Sequence, residues 1–215
     1  MPTLFYHPGN ASMTPHVLLE ELGIPYELSF VDRKNLAHRS PEYLKLNPNG
    51  LIPTFRDGDL VLWETAAICL HLADTHPAAG LMPGLGTAER AHAYKWLAWL
   101  STTLQPTLMR VFYPDRFVDP GDAAAAAQVK RHAQARAGEL LDLLDAQVAS
   151  SGGPWLLGET YRIVDPYAMM LCRWTRSFPR PARALPNLGP YLERVLARFA
   201  VVRALTQENL PKPWV

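Results

Sequence analysis

The chain has 215 residues, 48% hydrophobic and 19% charged, with 21 Lys and Arg against 20 Asp and Glu for a formal net charge of +1. Such a composition belongs to a folded globular protein, and the length accommodates one large domain or two small ones. Near-neutral charge gives no footing for a nucleic acid or an anionic membrane surface. No apolar run reaches the roughly 18 residues of a spanning helix, and the start M-P-T-L-F-Y lacks the features of a secretion signal, so a cytoplasmic location is expected.

Thr3 to Tyr6 is a short β-prone run broken by His7-Pro8-Gly9-Asn10. Pro15 to Leu22 then repeats apolar residues at helical spacing and stops at Gly23. Tyr26 to Val31 alternates as a second strand. Ser40-Pro41-Glu42 reads as a helix start, with Ser40 as the N-cap and Pro41 in the first helical position. Arg56-Asp57-Gly58-Asp59 reads as a hairpin turn between T-F and L-V-L. Glu64-Thr65 opens an amphipathic run in which Ile68 and Leu72 are four apart. The first 75 or so residues thus read β-α-β-α-β-β-α, an order that demands a mixed sheet covered by helices.

His76 to Thr87 is too rich in glycine and proline for regular structure and reads as a linker, after which strand signals vanish. One helix is expected from Ala88 to about Met109, and a long one from the Asp119-Pro120-Gly121-Asp122 cap to Ala149. Three more are expected over Pro166 to about Phe178, Leu188 to Phe199 and Val201 to Gln207. Asp165 is expected to cap the first of these, because proline suits the first helical position and is hostile one turn in. Cys69 and Cys172 lie far apart amid helical apolar residues, which favours buried free thiols over a disulfide, and no metal site is expected.

The stretch Asn47 to Ala67 organises the rest. Pro53 lies between short apolar runs where a trans proline spoils a strand. A cis Ile52-Pro53 bond leaves the amide and carbonyl of Ile52 facing outward, able to pair with an extended peptide. An edge-strand proline is the plain alternative. Free amides at the helix start after Glu64 suit a carboxylate, and the Glu64 side chain suits an ammonium. The pair fits the zwitterionic end of an amino acid or small peptide, or is a surface N-cap.

Proline, hairpin and anion-and-ammonium pocket in this order closely resemble the glutathione site of the glutathione transferase family. The resemblance implies an N-terminal thioredoxin-like domain over residues 1–77 and an all-helical C-terminal domain over residues 88–215. It also implies glutathione as co-substrate, a homodimer, and conjugation of the glutathione thiolate to small hydrophobic electrophiles. By the same match, Glu64 and Thr65 grip the γ-glutamyl end, Ile52 pairs with the cysteinyl part, and Pro53 is the cis-proline. His38-Arg39-Ser40-Pro41-Glu42 is similar to the H-K-S-P-E stretch of the phi and theta-like classes, which places His38 and Arg39 at the glycine carboxylate. Tyr113, set before Pro114 outside the helix, is expected against the hydrophobic co-substrate.

Tyr6 to His16 resembles the bacterial beta class pattern Y-T-P-G-A-C-S-L-A-P-H and puts Ala11 at that class's cysteine, or at the serine of the phi class. Alanine does no chemistry, and Gln105 stands where the beta class has a second-domain histidine. Ser12 is the first expectation for the thiol's partner, since a hydroxyl can rotate toward the sulfur. Asn10 is the second, the bacterial nu class using an asparagine nearby. A glutathione-binding module without catalysis, or a glutathione-dependent reductase or isomerase, remains the alternative to a transferase.

Overall fold

β1 (Thr3–Tyr6) is the hub of a four-stranded sheet of order β2-β1-β3-β4. β2 (Glu27–Phe30) runs parallel to it, and β3 (Thr54–Asp57) and β4 (Leu60–Trp63) are added antiparallel. The computed structural model describes all residues 1–215. The parallel β1–β2 pair needs a crossover, which α1 (Met13–Leu22) supplies, whereas β3 and β4 join through a tight turn in which Gly58 takes φ +56°. α2 (Pro41–Leu46) begins as expected, with the Tyr43 amide donating to Ser40 Oγ at 3.2 Å. α3 (Thr65–Thr75) packs on α1. Leu4, Phe55, Met13, Leu18, Ile68 and Leu72 are fully or almost fully buried here, so the apolar positions read from the sequence form this core.

The chain divides into two compact units. One comprises Met1–Gly84 with Val195–Trp214, and the other Leu85–Arg194 with Val215. The first therefore contains α9 (Phe199–Gln207), which an expected helical half over residues 88–215 assigns elsewhere. The cause is packing. α9 buries Val201, Ala204 and Leu205 and lies on α1, where Arg198 makes a two-pronged ion pair with Glu21 at 2.6 and 2.7 Å.

The second unit is helical: α4 (Ala88–Trp99), α5 (Gln105–Phe112), α6 (Ala123–Ser150), α7 (Val164–Trp174) and α8 (Leu188–Leu196), the last of which reaches the boundary. The single helix expected over Ala88 to Met109 is interrupted by a π-turn at Leu100–Leu104. Pro106 is the physical reason, because it has no N–H for the ladder and its ring crowds the preceding turn. All eleven residues of α7 are buried, so it is the central helix of this unit.

Asp165 corrects a second expectation. α7 starts at Val164, with Ile163 already helical at φ −55° and ψ −25°, so Asp165 lies inside the first turn instead of capping it. Its buried carboxylate reaches back to accept the Arg162 amide at 2.7 Å, the Leu156 amide at 2.9 Å and the Tyr191 hydroxyl at 2.8 Å. This is half of a reciprocal capping box, and the half that residue 162 would contribute is missing because arginine has no acceptor. Arg162→Thr is therefore expected to stabilise the protein by about 1 kcal/mol, the usual worth of a new N-cap. The check is the urea midpoint of the variant at unchanged slope.

Candidate functional site

The loop between β1 and α1 is held by its own main chain. The Asn10 amide donates to the His7 carbonyl at 3.1 Å, and the Met13 amide to the Asn10 carbonyl at 3.0 Å. Gly9 takes φ +72°, which glycine adopts without the Cβ penalty of other residues. Ser12 is fully buried, and its hydroxyl donates to the His7 carbonyl at 3.2 Å while accepting the His7 amide at 3.3 Å. In this arrangement the Ser12 hydroxyl hydrogen points at the His7 carbonyl and helps close the loop, where the sequence reading expects it to turn toward a bound thiol. Asn10 is only partly buried, and its side-chain oxygen accepts from Arg33 at 3.3 Å. The carboxamide is thereby oriented with its two N–H donors turned away from Arg33.

Ala11 is buried, and its carbonyl accepts from the Thr65 hydroxyl at 3.4 Å. The first residue of α3 is thus tied to the β1–α1 loop, although 54 positions separate the two. Glu64, immediately before it, is exposed and takes φ +73° and ψ +114°, and its side chain makes no capping bond to its own helix. Positive φ on a glutamate costs on the order of 1 to 3 kcal/mol and persists only where the surroundings enforce it. The first amides of α3 remain without a side-chain cap.

The Ile52-Pro53 bond is cis, as expected. The segment before it is closely tied. Leu51's carbonyl accepts from the Tyr43 hydroxyl at 2.7 Å and the Asn47 side-chain amide at 2.9 Å, and the Asn49 amide donates to Asn47 Oδ1 at 3.1 Å. Neither main-chain group of Ile52 takes part in a hydrogen bond within the protein. His38 and Arg39 lie on a short 3-10 turn, Ala37–Arg39, and Arg39 donates to the Asn49 carbonyl at 3.2 Å. Gly50 makes that approach possible. It takes φ +58°, and a Cβ there would lie 2.9 Å from the His38 carbonyl. The first unit therefore brings the His38-Arg39 turn against the run that leads to Ile52, and Thr65 against Ala11.

Tyr113 belongs to the second unit, where it ends α5 with the Arg116 guanidinium 4.1 Å from its ring centre. Gln105 is engaged within that unit as well, its side-chain oxygen accepting the Tyr167 hydroxyl at 2.7 Å. Tyr6 has its hydroxyl pKa raised by burial and then by the charge of Glu208, which keeps the phenol protonated. Both cysteines are buried free thiols. Burial raises Cys69, and it pushes Cys172 up to about 12, so neither is a nucleophile at neutral pH. No helix is long and apolar enough to cross a membrane. Sequence reasoning missed Arg33 and Glu208. Arg33 follows a strand without any motif, and Glu208 reaches the β1–α1 loop only through the packing of α9.

The model of the glutathione S-transferase N-terminal domain matches residues 2–74. A Xanthomonas campestris protein named glutathione S-transferase GST-4.5 is 32% identical over 208 residues, covering 96% of this chain and 98% of its own. A crystal structure of a Methylococcus capsulatus glutathione transferase is similar at 33% identity and a TM-score of 0.82, over 98% of this chain and 100% of that one. A sphingomonad glutathione S-transferase complexed with glutathione shares 29% identity at a TM-score of 0.82, over 97% of this chain and 100% of that one. Identity at this level is sustained over almost the full length of both chains, and this chain itself has the β-α-β-α-β-β-α order and the cis Ile52-Pro53 bond on which the site is built. The chain belongs to the glutathione S-transferase family of enzymes.

Proposed function

We propose that this transferase conjugates the glutathione thiolate to small hydrophobic electrophiles, as a cytoplasmic homodimer, with Asn10 as the side chain that stabilises the thiolate. In this reading Glu64 takes the γ-glutamyl ammonium, and Thr65 with the uncapped α3 amides takes its carboxylate. Ile52 pairs with the cysteinyl main chain, His38 and Arg39 take the glycine carboxylate, and Tyr113 contacts the electrophile. The observation that carries it is the pairing of Arg33 with Asn10 Oδ1, which aims a carboxamide donor from the residue beside Ala11.

Magnitudes support the need for such a donor. A thiol of pKa about 8.5 must drop by roughly 1.5 to 2 units to be mostly ionised at neutral pH, or about 2 to 3 kcal/mol. A helix N-terminus supplies about 0.3 to 1 kcal/mol, whereas a hydrogen bond to a charged group adds about 1.5 to 3 kcal/mol. Asn10→Ala is expected to raise the pKa of the bound glutathione thiol by at least a unit and to slow conjugation of a chromogenic aryl halide about tenfold or more. Ser12→Ala is expected to weaken the fold without moving that pKa. Thiolate absorbance titrated against pH reads both. An unchanged pKa in Asn10→Ala overturns the assignment.

Ala11 favours a second reading, a glutathione-binding module without catalysis, since the family position for a catalytic side chain is empty. Retention on immobilised glutathione with no turnover of any aryl halide selects it. A reductase working through a protein cysteine has little support, because both cysteines are buried with raised pKa values.

A further inference from the structure

The carboxylate of Glu208, at the end of α9, is fully buried beside the loop that carries Asn10 and Ala11. One oxygen, Oε2, accepts the Gly9 amide at 2.8 Å, and the other, Oε1, lies 2.9 Å from Nδ1 of His16, whose side chain is also fully buried. The far side of that ring is specified too. Nε2 of His16 lies 2.7 Å from Oε1 of Gln207, and the Gln207 side-chain nitrogen donates to Glu20 at 2.9 Å. Because Glu20 is an acceptor, the Gln207 amide cannot be turned round, and its oxygen faces the ring. Tyr26 donates its hydroxyl to Glu20, although it lies 3.1 Å from His16 Nε2. Both ring nitrogens of His16 therefore lie against side-chain oxygens, Nδ1 against Glu208 and Nε2 against Gln207.

Gly9 precedes the loop's turn and His16 lies on α1 beyond it, so one carboxylate grips both ends of Asn10–Pro15. Gly9 has only a main-chain donor, and the Gly9 amide plane sets where the chain enters Asn10. We infer that Glu208 is a positioning residue for thiol activation, its reach to the Gly9 amide fixing the loop that presents Asn10. The inference rests on the thiol-activating role proposed for Asn10. A bulk anchoring role is filled elsewhere on the same helix pair, by Arg198 with Glu21.

Reach and charge are separable. Glu208→Asp keeps the charge but retracts it by one methylene, and Glu208→Gln keeps the reach and offers an oxygen to Gly9. The readouts are the pKa of bound glutathione from thiolate absorbance, kcat and KM with an aryl halide, and the affinity for S-methylglutathione, which has no thiol to activate. Glu208→Asp is expected to raise the thiol pKa by about a unit and to lower kcat about tenfold, with S-methylglutathione affinity within about twofold of wild type. Glu208→Gln is expected to keep kcat within about threefold. Arg198→Ala, which loosens α9 without touching the loop, is expected to leave the thiol pKa in place.

An unmoved thiol pKa in Glu208→Asp, or an equal shift in Arg198→Ala, overturns the inference. So does a Gln variant as impaired as the Asp variant, because charge rather than reach would then be the requirement. Asn10→Ala measured alongside separates the two failures. If it shifts the pKa and Glu208→Asp does not, the positioning role alone falls; if neither shifts it, the role of Asn10 has failed first.

Discussion

Asp165→Ala is expected to lower the unfolding free energy by about 3 to 5 kcal/mol, the largest stability effect of any single change considered for this chain. The carboxylate accepts the Arg162 and Leu156 amides and the Tyr191 hydroxyl in a site with no water access, and each donor left without a partner there costs about 1 to 3 kcal/mol. Asp165→Asn is expected to do less damage, since it keeps one acceptor oxygen while turning an N–H pair toward a donor. Denaturant titrations of the two variants at unchanged slope provide the check, and an alanine variant within 1 kcal/mol of wild type, at roughly the level of a surface change, refutes the claim. The same network sets an alkaline limit. Burial, then the charge and hydrogen bond of Asp165, raise the Tyr191 pKa well above its ordinary 10. A group whose folded pKa is raised contributes stability that is complete below the unfolded value and is lost as pH climbs through the folded one. The contribution of Tyr191 is thus intact at neutral pH and fades only in strong alkali.

Glu64 is expected to show opposite signs for binding and stability. Removing its carboxylate, in Glu64→Ala or Glu64→Gly, should weaken glutathione binding about tenfold or more, as loss of one charge-assisted bond of about 1.5 to 3 kcal/mol requires. The two variants should differ in stability, because the residue takes φ +73°. Alanine retains a strain of about 1 to 3 kcal/mol that glycine relieves, while glycine gives up about 0.4 to 1 kcal/mol of unfolded-state entropy. The glycine variant is therefore expected to be the more stable by about 1 kcal/mol with affinity equally poor. Isothermal titration with glutathione and urea unfolding of both variants test the two halves separately. Equal affinity in wild type and both variants would remove Glu64 from the site, and equal stability of the variants would remove the strain.

That strain is also where local reading of the sequence stops. The hairpin, the Ser40 cap, the cis-proline and the start of α3 at Thr65 are all written in short-range chemistry: turn residues, a capping hydroxyl, and apolar spacing of two or four. Such signals need only a few neighbouring residues, and the element order of the first 75 residues followed from them. Position 162 shows the limit. Proline at 166 argued for a helix starting there, but the Asp165 carboxylate finds Arg162, Leu156 and Tyr191, and those partners outweigh the preference of proline for the first position.

Taken alone, the sequence determined the two kinds of structure along the chain, the run from Ile52 to Thr65 and the absence of a catalytic side chain at Ala11. Tertiary structure decided which neighbours of Ala11 are available. Ser12, the first expectation from the sequence, and Asn10, the second, both flank Ala11, but folding closes the Ser12 hydroxyl onto His7 and sets Arg33 against Asn10. It likewise joined α9 to the first unit and carried Glu208 to Gly9 across 199 positions. The physical reason is common to these cases. Hydrogen-bonding capacity belongs to a residue, but its partners are chosen by the packing of α3 and α9 on α1, over separations at which no periodicity or spacing survives.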